Sequence, residues 1–461
     1  VSGVVILLVI EALILSEIKG EVEGFIFAQL IVYPLSIVGI FLTEKISKLY
    51  TEKEFIVKIM ILGFILRVGM MFILYFLLNQ LQGGHFYYGK DIGDDWSYHK
   101  VGLLFKDEPT LILKNFSLFP VDYSLYPFLV ALIYKYLIPH TLVARGVNVV
   151  INSITVGIFY LFVKNVTQEE RIPKLATLFF CFSPSFIFFS SLQLKDAMLV
   201  GISFSLLLIC SKIWKEKNII KLGILSILYF AISYSFFYIR VQFFFLFLLF
   251  YLLSLIYNFK IFFLNHFNLV CTLVVVGILM FKGVSLISQI PTEALWKLKL
   301  DFILMEFARF EKWRTMEKLG ILLPIVTAGL GLILPLPLLI RLPHPSAPYC
   351  PELIKLPLAL EIFFTAPILV LGVYQLIKKK EKKGLMKTLV FLIIIYGGLV
   401  VTNFITYERH RLLFTGLSFL FIAYKIVKGG LNFNLLFWVY FLQGVITFGY
   451  NFMRGGAHGV L

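Results

Sequence analysis

Long apolar runs that show no alternation decide what this chain can fold into. Residues 55–78, 147–163, 222–238, 241–257, 269–281 and 389–404 are apolar or nearly so, and a helix needs roughly 20 such residues to cross about 30 Å of hydrocarbon. A strand of a membrane barrel would alternate apolar and polar positions, so continuous runs specify helices. Composition agrees: across 461 residues the mean hydropathy is +0.92 and only 15% of side chains are charged, far too apolar for one soluble core. The expected fold class is an all-α polytopic membrane protein.

The formal charge of +16 raises the possibility of nucleic-acid binding. The lysines, however, stand in short clusters between apolar runs, at 44–58, 164–174, 212–221, 378–387 and 425–428. That is the pattern that retains loops in the cytoplasm, and no nucleic-acid partner is expected. Placing every cluster on that side puts residues 81–142 outside. Residues 126–138 are then too short to span and lie on the outer surface. Residues 321–340, with Pro324, Pro335 and Pro337, become a re-entrant segment inside an outer region 285–355. About thirteen spans result. Glu11 interrupts the first apolar stretch and no cleavage signal follows it, so this stretch reads as a first span. Cys181, Cys210, Cys271 and Cys350 form no CxxC and read as small apolar-run residues. Neither GxGxxG nor GxxxxGK[ST] occurs, so no nucleotide loop is expected. No internal repeat is visible, which weakens an inverted-repeat transporter.

Against this apolar background the charges of the outer side stand out. GKDIGDDWSYHKVG carries Asp91, Asp94, Asp95, His99 and Lys100, and the spacing of WSYHKVGLLF predicts a short surface helix that starts at Asp94 and Asp95. Such a loop is either simply solvated or holds a carboxylate beside a membrane cavity, where it can act as a general base. Lys195 and Asp196, in SSLQLKDAML, are either a helix cap or part of the same site. Arg240 in FFYIRVQ, and Glu408, Arg409, His410 and Arg411 in TYERHR, fall on the same side. Their guanidinium groups suit a phosphate or pyrophosphate, or snorkel to lipid headgroups. Residues 290–320, with Trp296 and Trp313 among charges, read as an interfacial helix or a lid. Asp94, Asp95 and His99 do not make a diagnostic metal spacing, and a divalent metal stays an open possibility.

In this order, GDDWSYHKVG, YPFLVALIYKYLIPHTLVARGVNVVINS, KLATLFFCFSPSFIFFSSLQLKDAML, YIRVQ, GLILPLPLL and YERHR resemble the GT-C superfamily of membrane glycosyltransferases. The likeness is to the branch of protein O-mannosyltransferases and the lipid A aminoarabinose transferase, and it covers about residues 55–430. It implies a GT-C-like transmembrane core at 55–430, additional spans at 1–54, and a C-terminal span and tail at 431–461. It also implies a sugar donor on a polyprenyl phosphate and a glycan, lipid or protein acceptor whose hydroxyl is glycosylated outside the cytoplasm with inversion. Asp94, Asp95 and Asp196 are the implied catalytic acids. Tyr98, His99, Lys195, Arg240, Glu408, Arg409 and Arg411 are the implied substrate-binding residues. The sequence departs from the family in its Asp-Asp pair, where Asp-Glu is common, and in its two additional spans.

Two other classes use similar substrates. A flippase of lipid-linked saccharide would spread charge through the midplane, and Arg67, deep in the first long run, keeps that class open. An O-antigen-type polymerase or ligase would rest on arginines of a late outer loop and would not need the Asp-Asp pair. The expected location is a prokaryotic inner membrane, with the active site on the extracytoplasmic side.

Overall fold

The computed structural model describes residues 52–252 with short breaks, 356–378, 412–430 and parts of 437–445. Among these residues the regular structure is helical. The additional spans at 1–51, the runs 269–281 and 389–404, the segment 290–320, the re-entrant segment 321–340, and Glu408, Arg409 and Arg411 lie outside the described residues.

The elements in chain order are α1 (Glu52–Gln82), α2 (Asp94–Leu104), α3 (Thr110–Lys114), α4 (Leu125–Tyr136), α5 (Thr141–Thr167), α6 (Arg171–Phe182), α7 (Pro184–Ser190), α8 (Lys195–Ile213), α9 (Ile219–Tyr234), α10 (Phe236–Ile239), α11 (Leu356–Lys378) and α12 (Leu412–Gly429). Among the described residues five helical stretches are long and apolar enough to cross a membrane: Glu54–Leu78, Thr141–Thr167, Lys195–Ile213, Ile220–Ile239 and Leu412–Gly429. The bent pair α6–α7 makes six if it counts as one span. The described part of the chain is thus an all-α membrane protein. Leu125–Tyr136 is short, as its 12 residues require.

The bend in α6–α7 is written in the chain. Ser183 caps α7, accepting from Phe186 N, and Pro184 takes the first helical turn, where its missing N–H costs nothing. The two helices meet at 52°. Around them α1, α5 and α8 pack side by side. At Gly157 an added Cβ would stand 2.6 Å from the Met60 sulfur, so the absence of a side chain sets the α1–α5 distance, as is common where membrane helices touch. Rings fill the centre. Phe159 stacks on Phe180 with centroids 4.6 Å apart, and Phe204 meets Phe159 edge-on at 4.9 Å.

The two ends of the bundle carry different charge. At one end Lys215 Nζ donates to the Asn165 carbonyl at 2.6 Å, and Lys428 pairs with Glu169. Asn218 caps α9 there, accepting from Ile220 N and Lys221 N. The other end carries α2 and α4, which pack on each other and, through α4, on α5.

Candidate functional site

Gly93 sets up the acid pair. Its φ of 97° is a left-handed conformation that favours glycine, and it turns the chain into α2 with Asp94 and Asp95 in the first turn. Carboxylates there are favoured by the unsatisfied N–H groups of the helix start. The Ser97 hydroxyl donates to the Gly93 carbonyl at 2.9 Å and fixes the turn. The pair then divides. Asp95 is fully buried, its Oδ1 accepting from Trp96 N at 3.0 Å, while Asp94 remains half-buried.

Buried Asp95 faces a guanidinium. Arg145, one turn into α5, is also fully buried. The charge of the Asp95 carboxylate acts on it, as do the hydroxyls of Tyr126, Tyr75 and Tyr134, and its guanidinium carbon stands 6.0 Å from the Tyr75 ring centroid. Arg145 was visible in sequence only as part of the ARGVN landmark. The usable signal was a charge three residues before an asparagine at the head of an apolar run, which puts both on one helical face.

Neutral hydrogen bonds hold the surface helices on the bundle. Asn148 Nδ2 donates to the Tyr126 hydroxyl at 2.8 Å and to the carbonyls of Leu192 (2.8 Å) and Leu194 (3.2 Å), which ties α4 to the loop ahead of α8. Gln193 Nε2 reaches the Tyr134 hydroxyl at 3.4 Å, and that hydroxyl is hydrogen-bonded to His99 Nδ1 at 2.7 Å. Burial pushes the Tyr134 phenol up to about 12, partly opposed by Gln193 and Arg145, and drives the Tyr126 phenol up as well. Both remain protonated pins. Burial also lowers His99, helped by the charges of His140 and Arg145. Its ring sits in an aromatic group with Phe86 at 5.3 Å, Trp96 at 5.8 Å and Tyr134 at 5.6 Å.

Lys195 and Asp196 open α8, with 2% and 3% of their surface exposed. Asp196 makes no helix cap of its own residue type; the N-cap is Leu194. It stands 3.8 Å from Arg240 Nη2, and Arg240 leaves the end of α10 in extended backbone. Through Asn148 and Gln193 this pair and the α2 acids share one end of the bundle. The structure therefore gathers Asp94, Asp95, Tyr98, His99, Lys195, Asp196 and Arg240. Tyr98 is turned inward, edge-on to Tyr126 at 4.9 Å. Tyr126, Tyr134, Arg145, Asn148 and Gln193 join them, and none of these five was expected as a site residue.

An open groove of about 460 Å³ lies between α1 and α5, lined by Phe64, Met71, Val143, Gly146 and Val150 among other apolar residues. Nothing stands within 4 Å of a Cβ built on Gly146. Among the described residues, no three His, Cys, Asp or Glu side chains gather as a metal site. Cys181 and Cys210 are buried and not joined in a disulfide. No family model, no curated protein and no solved structure matches this chain.

Proposed function

We propose that the chain is a multi-pass membrane glycosyltransferase with GT-C-type architecture. In this reading it moves a sugar from a polyprenyl-phosphate donor to an acceptor hydroxyl on the extracytoplasmic side. The observation that carries the reading is the division of the acid pair. Asp95 is fully buried and acts through its charge on the equally buried Arg145, while its neighbour Asp94 is only half-buried. A base must reach its substrate, and a buried carboxylate beside a guanidinium serves better to orient that cation.

The chemistry follows from these positions. Asp94 takes the proton of the acceptor hydroxyl, and the oxygen forms its bond to the anomeric carbon as the bond from that carbon to the phosphate oxygen breaks. The bonding pair leaves on the polyprenyl phosphate. One displacement from the opposite face inverts the configuration. Arginine meets the negative charge that grows on the leaving group. What supports Arg240 in this role is that at 3.8 Å its contact with Asp196 is longer than the roughly 2.7–2.9 Å of a tight charge-assisted bond, so a phosphate can compete for it. The apolar groove between α1 and α5 suits an isoprenoid chain. The gathering of lysines at the opposite end supports an extracytoplasmic site by the positive-inside rule.

The test is transfer of radiolabelled sugar from a panel of polyprenyl-phosphate sugars by the purified protein in lipid, with Asp94→Asn and Asp95→Asn alongside. Turnover that Asp94→Asn abolishes in a folded protein supports the reading. Turnover indifferent to both substitutions, or donor binding without turnover, moves it to a polymerase, ligase or flippase of lipid-linked saccharide.

A further inference from the structure

A second acid lies buried away from the site. Glu361, in the second turn of α11, is 8% exposed. Its Oε2 accepts from the Ser185 backbone N–H at 3.1 Å and from the Ser185 hydroxyl, and the Ser183 hydroxyl also faces the carboxyl. These donors belong to the break between α6 and α7, where the chain bends by 52°. Oε1 has no hydrogen-bond partner among the described residues.

No cation answers this carboxyl among the described residues. Among the described residues α11 packs against α7 and α12, with residues of 437–445 reached through Tyr440. α7 supplies serines and phenylalanines but no titratable group. Behind it, Arg67 of α1 gives Nη1 to the Gly63 carbonyl at 3.0 Å and neighbours Cys181. α12 contributes Tyr424, Lys425 and Lys428, and Lys428 is paired with Glu169 at the lysine end. The Tyr440 hydroxyl donates to the Phe364 carbonyl at 2.7 Å. A buried carboxylate with one oxygen unpartnered and no counter-ion is among the least favourable groups a protein interior can hold, and taking up a proton relieves it.

We propose that Glu361 is a buried proton-binding site, occupied at neutral pH, with the proton on Oε1 and Oε2 left to accept from Ser185. Its place gives the proton leverage. The first turn of α7 carries Ser185, held by Glu361, and its far end is capped by Ser191, whose hydroxyl donates to the Arg67 carbonyl at 3.0 Å. The next residues, Leu192 to Leu194, are those that Asn148 and Gln193 fasten under the candidate site. Occupancy of Glu361 thus sets how firmly α11 grips one end of a short helix whose other end carries the approach to Asp196. The inference stands apart from the transfer reading and does not require it.

A hydrophobic carbodiimide reads the state directly. The O–H of a protonated carboxyl adds across the N=C=N group to give an O-acylisourea, which rearranges to a stable N-acylurea that keeps every atom of both reactants. The full chain in lipid nanodiscs would be treated with dicyclohexylcarbodiimide at pH 7, digested and mapped by mass spectrometry. The expected result is an N-acylurea on Glu361 at an occupancy at least tenfold above that of the exposed Glu54, Glu108 and Glu170, absent from Glu361→Gln and falling as pH is raised. Wild-type labelling is the primary readout, so the inference survives a variant that does not fold. An amide formed at Glu361 by a water-soluble carbodiimide with glycine ethyl ester would show an accessible acid and overturn it. So would a Glu361 that reacts with dicyclohexylcarbodiimide only after denaturation in SDS.

Discussion

Replacing Asp95 by Asn removes one charge and almost no volume from a place where neither Asp95 nor Arg145 touches solvent. Breaking one side of a buried ion pair costs about 3–5 kcal/mol, because the survivor is left uncompensated. The Tyr75 ring, 6.0 Å from the Arg145 guanidinium carbon, is there before and after the substitution and leaves that cost unchanged. Asp95→Asn should therefore destabilise by about 3–5 kcal/mol, and Arg145→Met by a similar amount. The double variant buries no charge at all and should cost about as much as either single one, giving a coupling of about 3–5 kcal/mol. The assay is equilibrium unfolding of the four proteins in mixed micelles of SDS and a mild detergent, followed by circular dichroism. Single effects that add to within about 0.5 kcal/mol would refute the facing of these two charges as the force that seats α2 on the bundle.

Four further outcomes follow from the same geometry. Asp94→Asn should lower transfer by about 10²- to 10⁴-fold while its unfolding midpoint stays near that of the wild type, because Asp94 is only half-buried; equal damage to stability and turnover would argue against a base. His99 is lowered in the fold from its ordinary 6.5, so the unfolded chain takes the proton first, and its contribution is complete above pH 6.5 and lost as pH falls below that value; His99→Gln should flatten this acid-side slope in thermal scans, and an unchanged slope would sink the assignment. At Gly102 an added Cβ would come within 2.5 Å of Val130 Cγ1, so Gly102→Ala should cost about 1–3 kcal/mol, whereas Gly69→Ala, with nothing within 4 Å, should be neutral or slightly stabilising, both read by unfolding. Asp196→Asn should tighten binding of polyprenyl phosphate about tenfold, since it frees Arg240 from a competitor, and Arg240→Met should weaken it; fluorescence titration in nanodiscs separates this from a role in which Asp196 merely props Arg240, where both variants bind more weakly.

The spans and the surface helices were legible because their signals are local. Run length and absence of alternation mark α1, α5 and α9, and the pairing of acids with WSYHKVGLLF marks the start of α2 at Asp94. Asp196 and Arg240 were read as members of one side from loop parity, and they stand 3.8 Å apart. Arg145 escaped as a site residue because its role is set by what faces it. Asp95 and Tyr126 come from chain segments separated from it by about fifty and about twenty residues, and no periodicity reports such a meeting. The same holds for Tyr134, whose hydroxyl joins His99 to Gln193. Glu361 carries the least sequence signal of all. A single acid in an apolar helix reads as a boundary until Ser183 and Ser185 are brought to it by the α6–α7 bend.

A physical regularity joins these separate contacts. Where a polar side chain fastens one helix to another it is neutral, as with Asn148 on Tyr126 and Gln193 on Tyr134, and both phenols are driven further toward their neutral form by burial. Where a charge lies near the site it faces its opposite, as Asp95 faces Arg145 and Asp196 faces Arg240. Neutral pins cost little to bury and make no demand on an arriving charge, so they can be permanent. Opposed charges are different, because an anion entering beside them can take over the cation at small net cost in low dielectric, one pairing being exchanged for another. Of the two pairs, the sealed Asp95–Arg145 pair is the one suited to hold shape. The less buried Asp196–Arg240 pair is the one suited to exchange, and that difference is the reason the proposed phosphate partner is Arg240 and not Arg145.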